Sequence, residues 1–200
     1  MALKLWYVPK TRSSRPRWVL EELGLPYELA RLDPSRGETR SAEHLARQPL
    51  GHVPVLEDGP VRIFESAAIC LWLAEREGML LPRAGTPARA LLYQWLFYAM
   101  TELEPPLVQL SAEAKRPEAE RDAGRVADAQ RRFLAAAEPL ERVLKEDPYV
   151  LGDAFSVADV VVGSCLLWGR SLRALAGVPA LEAYCARLRE RPAWKRSIAD

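Results

Sequence analysis

Apolar residues in the first part of the chain change several times between strand and helix spacing. They alternate with polar residues over Leu3–Tyr7 and over Tyr27–Leu32, which is typical of short strands. Val55-Leu56 and Val61–Phe64 are strand candidates separated by a hairpin turn signal, Asp58-Gly59. Helical spacing begins near Pro16, Ser41 and Ser66. The predicted order is β-α-β-α-β-β-α. Because helices join the first three strands and a hairpin joins the last two, we expect a mixed sheet of four strands.

The second half of the chain shows helical spacing and no strand signals. Gly78–Pro87 carries prolines and glycines, which indicates a connecting segment. Pro105-Pro106 lies inside the first long helical run and is expected to bend or interrupt it. The predicted helical runs are Ala88–Ser111, Glu118–Lys145, Val160–Trp168 and Pro179–Arg189. The sequence therefore predicts an α/β domain over residues 1–78, a linker over 79–87 and an all-helical domain over 88–200.

Composition narrows the classes of function. The formal net charge is +1 over 200 residues and the basic residues are scattered, so nucleic acid is not an expected partner. No apolar run approaches the roughly 20 residues that a membrane span needs. The N-terminal stretch also lacks the apolar core and cleavage site of a signal peptide. We therefore expect a cytoplasmic protein with no membrane partner.

Cysteines and histidines give no sign of metal or redox chemistry. Cys70, Cys165 and Cys185 fall in helical apolar runs, far apart in sequence and without a Cys-x-x-Cys pair. His44 and His52 lack metal-ligand spacing. The prediction is therefore three buried free thiols and no metal site.

The segment Gln48–Ile69 combines features that suit a small extended ligand. A loop ends at Val53-Pro54, where a short apolar strand begins, and Glu65-Ser66 opens a helix directly after the hairpin. A strand that starts at a proline can present backbone donors and acceptors. The helix N-terminus nearby favours an anion, because its N–H groups and its dipole point there.

Three segments together resemble the cytosolic glutathione transferase family over essentially the whole chain. Gly51–Leu56 is similar to the family's Gly-x-Val-Pro-x-Leu segment with its cis-proline, and Phe64–Ile69 is similar to the family's Glu-Ser helix start. Phe155–Asp159 is similar to the capping box and hydrophobic staple of the family's buried helix. The resemblance implies a thioredoxin-like N-terminal domain and an all-helical C-terminal domain, in which Asp159 has a structural role.

The resemblance also implies where glutathione binds. Val53-Pro54 pairs with the cysteinyl backbone of the ligand like one more strand. Ser66 and the helix dipole bind the γ-glutamyl carboxylate, while Glu65 accepts a hydrogen bond from the ligand's ammonium group. His52, or less closely Arg36, is the candidate donor to the glycyl carboxylate.

Each of these residues also has an ordinary structural interpretation. Ser66 is expected to be a helix N-cap in any case, Glu65 can be a solvated carboxylate, and His52 can be an exposed loop residue. Trp95 and Tyr98 lie on a helix that borders the second-substrate pocket in relatives, but aromatics at this spacing are also typical of a core. The resemblance favours a ligand role for the first three residues and leaves pocket lining open for the other two.

The region Tyr7–Ser14 is expected to lower the pKa of the bound thiol. The thiolate is the nucleophile, and a free thiol has a pKa near 8.5. Family members place a Tyr, Ser, Thr or Cys here, and this region has no Cys, so the chain departs from the cysteine-type subgroups. Arg12 occupies the usual hydroxyl position. We rank the hydroxyl donors as Ser13, then Thr11, then Tyr7, with Arg12 stabilising the thiolate by its charge.

The resemblance implies a glutathione transferase that joins the thiolate of glutathione to an apolar electrophile, with hydroperoxide reduction as a further activity. The electrophile is expected in a cleft facing the helical domain. Glutathione is a cosubstrate, no metal is implied, and a homodimer is expected. One alternative is a maleylacetoacetate-isomerase-like enzyme, although Thr11-Arg12-Ser13-Ser14 lacks the cysteine of the Ser-Ser-Cys-Ser signature. The other is a non-catalytic binding or interaction protein of the same fold.

Overall fold

The computed structural model describes residues 3–200, which form two compact units. The first unit contains the described residues up to Met79 together with Glu190–Asp200, and the second runs from Leu80 to Arg189. The first unit opens with β1 (Leu3–Tyr7), α1 (Ser14–Leu23), β2 (Tyr27–Arg31), α2 (Ala42–Leu45), β3 (Val55–Asp58), β4 (Val61–Phe64) and α3 (Ser66–Glu77). Short 3₁₀ turns at Pro34–Arg36 and Glu38–Arg40 lie between β2 and α2.

A four-stranded mixed sheet in the order β2-β1-β3-β4 forms the centre of the first unit. β1 and β2 are parallel, whereas β1–β3 and β3–β4 are antiparallel. The mixed sheet predicted from the sequence is therefore confirmed. The parallel pair is the one joined through a helix, as connection geometry requires. The largest fully buried apolar side chains of this unit are Leu5, Trp18, Leu20, Leu56, Ile69 and Leu73.

The second unit is helical, as the sequence predicts. Its helices are α4 (Pro87–Tyr98), α5 (Glu104–Ala114), α6 (Ala123–Glu146), α7 (Val157–Ser171) and α8 (Pro179–Glu190), the last of which ends at the boundary of the unit. A π-helical turn, Ala99–Leu103, interrupts the first predicted run. Pro105-Pro106 explains it, because a proline ring clashes with the carbonyl group four residues earlier, and those carbonyl groups lie within the π turn.

Asp159 at the start of α7 is held entirely by structural contacts. Its Oδ2 accepts from the Ser156 N–H at 2.9 Å and completes a capping box. Its Oδ1 accepts from the Val150 N–H at 2.8 Å and from the Tyr184 hydroxyl at 2.9 Å. Burial raises the pKa of Asp159. The residue therefore serves the fold, as the family resemblance implies.

The last helix, α9 (Pro192–Ser197), belongs to the first unit and packs against α1. Arg191 Nε lies 2.6 Å from a carboxylate oxygen of Glu22, and Arg196 Nε lies 2.5 Å from one of Glu21. The sequence pattern assigns these residues to the helical half. A helix this short has too little periodicity to reveal which unit it joins.

Candidate functional site

The strand register brings three predicted segments to one end of the sheet. Val55 of β3 pairs with Trp6 of β1 on one side and with Phe64 of β4 on the other. From this row of residues the chain leads into the turn before α1, backward into Val53-Pro54 and forward into Glu65-Ser66. The candidate thiol-activating residues and the candidate ligand-binding residues are therefore neighbours in the fold.

Two buried polar side chains hold the loop before β3 in place. Gln48 is 2% exposed, and its Oε1 accepts from the backbone N–H groups of Leu50 at 2.7 Å and of His52 at 2.9 Å. The ring of His44 is fully buried, with Nε2 at 2.9 Å from the His52 carbonyl oxygen. Because a carbonyl oxygen only accepts, Nε2 carries the proton. Sequence reasoning missed these roles of His44 and Gln48.

Gly51 is required at its position in the same loop. Its φ is +64°, and a Cβ there would lie 2.5 Å from the Thr39 carbonyl oxygen. That Cβ would also lie 3.1 Å from Cδ of Arg40, so this exposed arginine lies beside the backbone that leads into exposed His52. Arg40 adds a cation near the predicted glycyl end, and sequence reasoning missed it. Arg36 is exposed, with Nε 3.7 Å from a carboxylate oxygen of Glu38.

Val53 lies at the open end of β3. The peptide bond between Val53 and Pro54 is cis, and the β1–β3 ladder ends at the pair formed by Trp6 and Val55. The backbone of Val53 therefore lies beyond the last paired residue. An extended ligand can add to the sheet at such a place.

The start of α3 combines a buried hydroxyl with an exposed carboxylate. Ser66, the first residue of the helix, is 3% exposed, and its Oγ accepts from Nη1 of Arg15 at 3.1 Å. Glu65 is exposed, has φ +73° and ψ +111°, and makes no side-chain bond to the helix it precedes. The expectation that Ser66 is the N-cap is wrong, because Glu65 holds that position. Such a backbone conformation in a non-glycine residue is a sign of a functional constraint.

The hydroxyl loop, residues Tyr7–Ser14, brings the hydroxyl groups of Thr11, Ser13 and Ser14 together at the start of α1. The Oγ atoms of Thr11 and Ser13 lie 3.0 Å apart, and Thr11 donates to the Val8 carbonyl oxygen at 2.7 Å. The Ser13 N–H donates to Thr11 Oγ1 at 3.2 Å, and Ser14 Oγ donates to the Thr11 carbonyl oxygen at 3.1 Å. Ser13 is the N-cap of α1 and is 1% exposed, yet its side chain does not cap the helix. Half-buried Arg12 lies between the two hydroxyl residues.

Tyr7 is buried at the end of β1, and its hydroxyl donates to the side-chain carboxylate of Asp200. Arg17 of α1 donates to the same carboxylate, and its guanidinium carbon lies 5.8 Å from the centroid of the Tyr7 ring. Burial, together with the bond to Asp200, raises the pKa of Tyr7, so its hydroxyl keeps its proton. To donate to a thiolate, this hydroxyl would have to leave Asp200.

Trp95 and Tyr98 lie together on α4 in the second unit. Their ring centroids are 5.4 Å apart in edge-on contact. Trp95 is buried, and the half-buried Tyr98 donates its hydroxyl proton to the Ala136 carbonyl oxygen at 2.9 Å. Both side chains contribute to the packing of this unit, and their lining of a second-substrate pocket stays a prediction.

The three cysteines are buried. Burial raises the pKa of Cys70 and of Cys185 to about 12, which makes both thiols poor nucleophiles at neutral pH. Within residues 3–200, no group of three or more His, Cys, Asp or Glu side chains is placed to hold a metal ion. In the same part of the chain, no helix is long and apolar enough to cross a membrane.

Known proteins match both halves of the chain. Residues 1–75 match the N-terminal domain of glutathione S-transferase, and residues 88–192 match its C-terminal domain. Glutathione S-transferase 4 of Zea mays is 33% identical over 187 residues, which cover 90% of this chain and 84% of that relative. Disulfide-bond oxidoreductase YfcG of Escherichia coli is 29% identical over 209 residues, which cover 98% of this chain and 94% of that relative.

A solved structure gives the same result in three dimensions. A glutathione transferase from Burkholderia graminis, with two glutathione molecules bound per subunit, matches with a TM-score of 0.91 at 25% identity. The match covers 100% of this chain and 88% of that one. The thioredoxin-like sheet, the helical second half and the sequence similarity all agree over nearly the whole length. The chain therefore belongs to the glutathione S-transferase family.

Proposed function

We propose that the protein binds glutathione in its first unit and joins the glutathione thiolate to an apolar electrophile. The observation that carries the proposal is the row Trp6, Val55 and Phe64, which places Val53-Pro54 and Glu65-Ser66 at one end of the sheet. Together these segments offer an open backbone edge, a helix N-terminus and an exposed carboxylate. Glutathione has a matching peptide backbone, α-carboxylate and α-ammonium group.

Each part of glutathione has a proposed contact. The cysteinyl backbone pairs with Val53 beyond the end of β3. The γ-glutamyl carboxylate binds at Ser66 and the α3 N-terminus, and its ammonium group donates to Glu65. The glycyl carboxylate binds near His52, with Arg40 as a second cation beside the loop. No metal takes part in this proposal, and glutathione is consumed as a cosubstrate.

Ser13 is the proposed donor to the glutathione sulfur. Its hydroxyl lies at the N-terminus of α1 and does not cap that helix, so it can donate to an anion there. Because Thr11 donates its only hydroxyl proton to the Val8 carbonyl oxygen, the 3.0 Å contact makes Ser13 Oγ a donor to Thr11 Oγ1, and Ser13 turns this proton to the sulfur when glutathione binds. A donor at this point stabilises the thiolate relative to the thiol and lowers the thiol pKa from its ordinary value near 8.5. The same thiolate can attack a hydroperoxide oxygen, which is the proposed further activity.

Two measurements test this proposal. Calorimetry with glutathione measures binding, and absorbance measures conjugation to a chlorodinitrobenzene at the same glutathione concentration. Binding with turnover is expected. Binding without turnover would favour a non-catalytic binding protein, turnover only of a cis-trans isomerisable diketo acid would favour the isomerase, and absence of binding would refute the proposal.

A second candidate reaction is reduction of glutathione mixed disulfides. The full-length similarity to a disulfide-bond oxidoreductase and to a structure with two glutathione molecules per subunit favours it. Because Cys70 and Cys185 keep their protons, the attacking sulfur would be that of bound glutathione. Its thiolate attacks the glutathionyl sulfur of the mixed disulfide, forming glutathione disulfide and releasing the other thiolate. Coupled assays with glutathione reductase and hydroxyethyl disulfide would distinguish this reaction from conjugation.

We also propose a homodimer in the cytoplasm, on the basis of family membership. Tyr93 and Phe97 lie four residues apart on α4, and Phe97 is 71% exposed, which is unusual for a large apolar side chain. A second copy of the chain is the proposed occupant of this face. Light scattering of the wild type and of Phe97→Glu tests it, since a dimer through this face is expected to become monomeric.

A further inference from the structure

We infer that Lys10 makes the protein selective for electrophiles whose apolar body carries an anionic group, such as a carboxylate. The inference rests on the proposed function and narrows the class of its second substrate. Lys10 lies in the hydroxyl loop, three residues before the proposed sulfur donor Ser13. Sequence reasoning did not consider it, because lysines are mostly exposed whether or not they have a function.

Lys10 occupies a backbone position at which glycine would be relaxed. Pro9 and Lys10 form a turn before α1, and Thr11 Oγ1 donates to the Val8 carbonyl oxygen across this turn at 2.7 Å. The φ angle of Lys10 is +58°. A turn with proline first and a positive φ second favours glycine at the second position, because glycine has no Cβ to clash. Non-glycine residues held in this conformation are concentrated at functional sites, so the side chain of Lys10 requires an explanation.

The charge of Lys10 is the one most open to solvent in a basic stretch of the chain. The segment Val8–Leu20 has basic residues at positions 10, 12, 15 and 17 and contains no Asp or Glu. Arg17 is bonded to Asp200, and Arg15 is buried. Lys10 is exposed and forms no ion pair within the part of the chain that the structure describes. Its ammonium group is therefore a solvated cation that can attract an anion.

A reacting electrophile must lie close to this loop. In conjugation to a chloroarene, the thiolate sulfur forms a bond to the aromatic carbon, and chloride leaves with the electron pair of the broken carbon–chlorine bond. Ser13 is the proposed donor to that sulfur, and its Oγ lies 3.0 Å from Oγ1 of Thr11, the residue after Lys10. The electrophile therefore meets the sulfur within reach of the long, flexible stem of the lysine. An anionic substituent can pair with the ammonium group while the apolar body stays at the sulfur.

The experiment compares two matched electrophiles at saturating glutathione. One is a chlorodinitrobenzoate, which is an anion, and the other is the corresponding chlorodinitrobenzamide, which is neutral. Each kcat/KM is divided by the rate constant of the uncatalysed reaction with glutathione, and the charge preference is the value for the benzoate divided by the value for the benzamide. The variants are Lys10→Gln, Lys10→Gly and Lys10→Arg.

Arg173→Gly is the matched control. Arg173 is also an exposed basic residue with a positive φ, +59°, but it lies in the second unit and belongs to none of the segments of the proposed site. Its replacement by glycine relieves the same backbone conformation and removes the same charge from the protein. The charge preference should stay at the wild-type value.

Lys10→Gln is expected to lower the charge preference roughly twofold to fivefold, the range for one solvent-exposed pair of charges. The rate with the benzamide should stay near the wild-type value. Lys10→Gly should lower the preference equally and be at least as resistant to denaturant as the wild type, because glycine tolerates the positive φ. Lys10→Arg should keep the preference. Added salt should reduce the preference of the wild type more than that of Lys10→Gln.

An unchanged charge preference in Lys10→Gln would overturn the inference. An equal loss of activity with both electrophiles would assign Lys10 to the turn or to the thiolate and would overturn it as well. If Lys10→Gln fails to fold, Lys10→Gly is judged by the same ratio. Failure of the wild type to conjugate either electrophile would be a failure of the proposed function, whereas turnover of both with an unaltered ratio in the variants would be a failure of this inference alone.

Discussion

The holding segment, Gln48–Ile69, and the hydroxyl loop, Tyr7–Ser14, meet at one end of the sheet but are stabilised in different ways. Hydrogen bonds to buried side chains fix the holding segment. Gln48 and His44 bond to the backbone of its loop, and Arg15 bonds to Ser66. In the hydroxyl loop, Thr11, Ser13 and Ser14 bond to one another and to their own backbone. One region is positioned by the core and the other by its own turn.

This difference separates the two proposed roles of the site, which are binding of the ligand and activation of its thiol. Core contacts cannot change without disturbing the fold. The backbone geometry that binds the ligand is therefore hard to alter by substitution. Local bonds between side chains and the nearby backbone can be rearranged by one substitution at small cost. Substitutions in the hydroxyl loop are therefore expected to change turnover. Substitutions of the buried residues that support the holding segment are expected to change stability and affinity.

The largest effect is expected from Ser13→Ala in the hydroxyl loop. Removing one preorganised donor to a developing or bound anion lowers kcat about 10²–10³-fold. The pKa of bound glutathione should rise toward the free value, because the thiolate loses its donor, and ultraviolet absorbance of the thiolate measures that rise. Affinity for glutathione should change little, since its other contacts lie in the holding segment.

Ser14→Ala is the matched control for this prediction. Its hydroxyl belongs to the same loop but donates to the Thr11 carbonyl oxygen, so kcat and the bound thiol pKa should stay near the wild-type values. An unchanged thiol pKa in Ser13→Ala would refute Ser13 as the donor. Thr11→Val would then test the next residue in the ranking.

A smaller effect is expected from Gln48→Met at the start of the holding segment. Methionine has a similar length but no acceptor for the N–H groups of Leu50 and His52, which should lower the free energy of unfolding by about 1–3 kcal/mol. Affinity for glutathione should fall as well, because this loop leads into Val53. Chemical denaturation and calorimetry measure the two changes, and kcat at saturating glutathione should be retained.

His52→Ala provides the comparison, since it removes an exposed side chain and keeps the backbone contacts of the loop. It should lower affinity and leave stability unchanged. The proposed separation of tasks would fail if Gln48→Met lowered kcat at saturation but had no effect on stability.

Much of the fold can be predicted from the sequence because its signals are local. Alternation over Leu3–Tyr7 predicts a strand, and the turn signal at Asp58-Gly59 predicts the pairing of β3 with β4, both without reference to distant residues. Helix α9 could not be assigned to its unit in this way. Its ion pairs with Glu21 and Glu22 join residues from opposite ends of the chain, and no local pattern reports such a contact.

The candidate site shows the same limit. Val53-Pro54 and Glu65-Ser66 are contiguous in sequence and can be recognised there. The roles of Arg15, His44 and Gln48 depend on which backbone or side-chain atoms lie opposite them in the fold. Each is a polar residue buried by tertiary packing, and the sequence alone does not distinguish it from a solvated one.

The smallest effect is expected at the contact between Tyr7 and Asp200. The bonds from Tyr7 and Arg17 lower the pKa of Asp200. A carboxyl group whose pKa is lowered by folding adds stability above its ordinary pKa, near 3.9, and this contribution is lost as the pH falls through the lower folded value. Asp200→Asn should therefore be less stable than the wild type at neutral pH, and the difference should shrink below about pH 4.

The size of this difference should stay below about 1 kcal/mol, as is usual for exposed ion pairs, and thermal unfolding at several pH values measures it. Asp153→Asn, which changes an exposed aspartate of the second unit, is the control and should leave the free energy of unfolding at neutral pH near the wild-type value. Tyr7→Phe should remove part of the same stability and leave conjugation near the wild-type rate, because its hydroxyl is engaged with Asp200. If Tyr7→Phe instead lowered kcat as strongly as Ser13→Ala, the tyrosine would be the donor, and activation of the thiol would depend on the core strand β1 and not on the local turn.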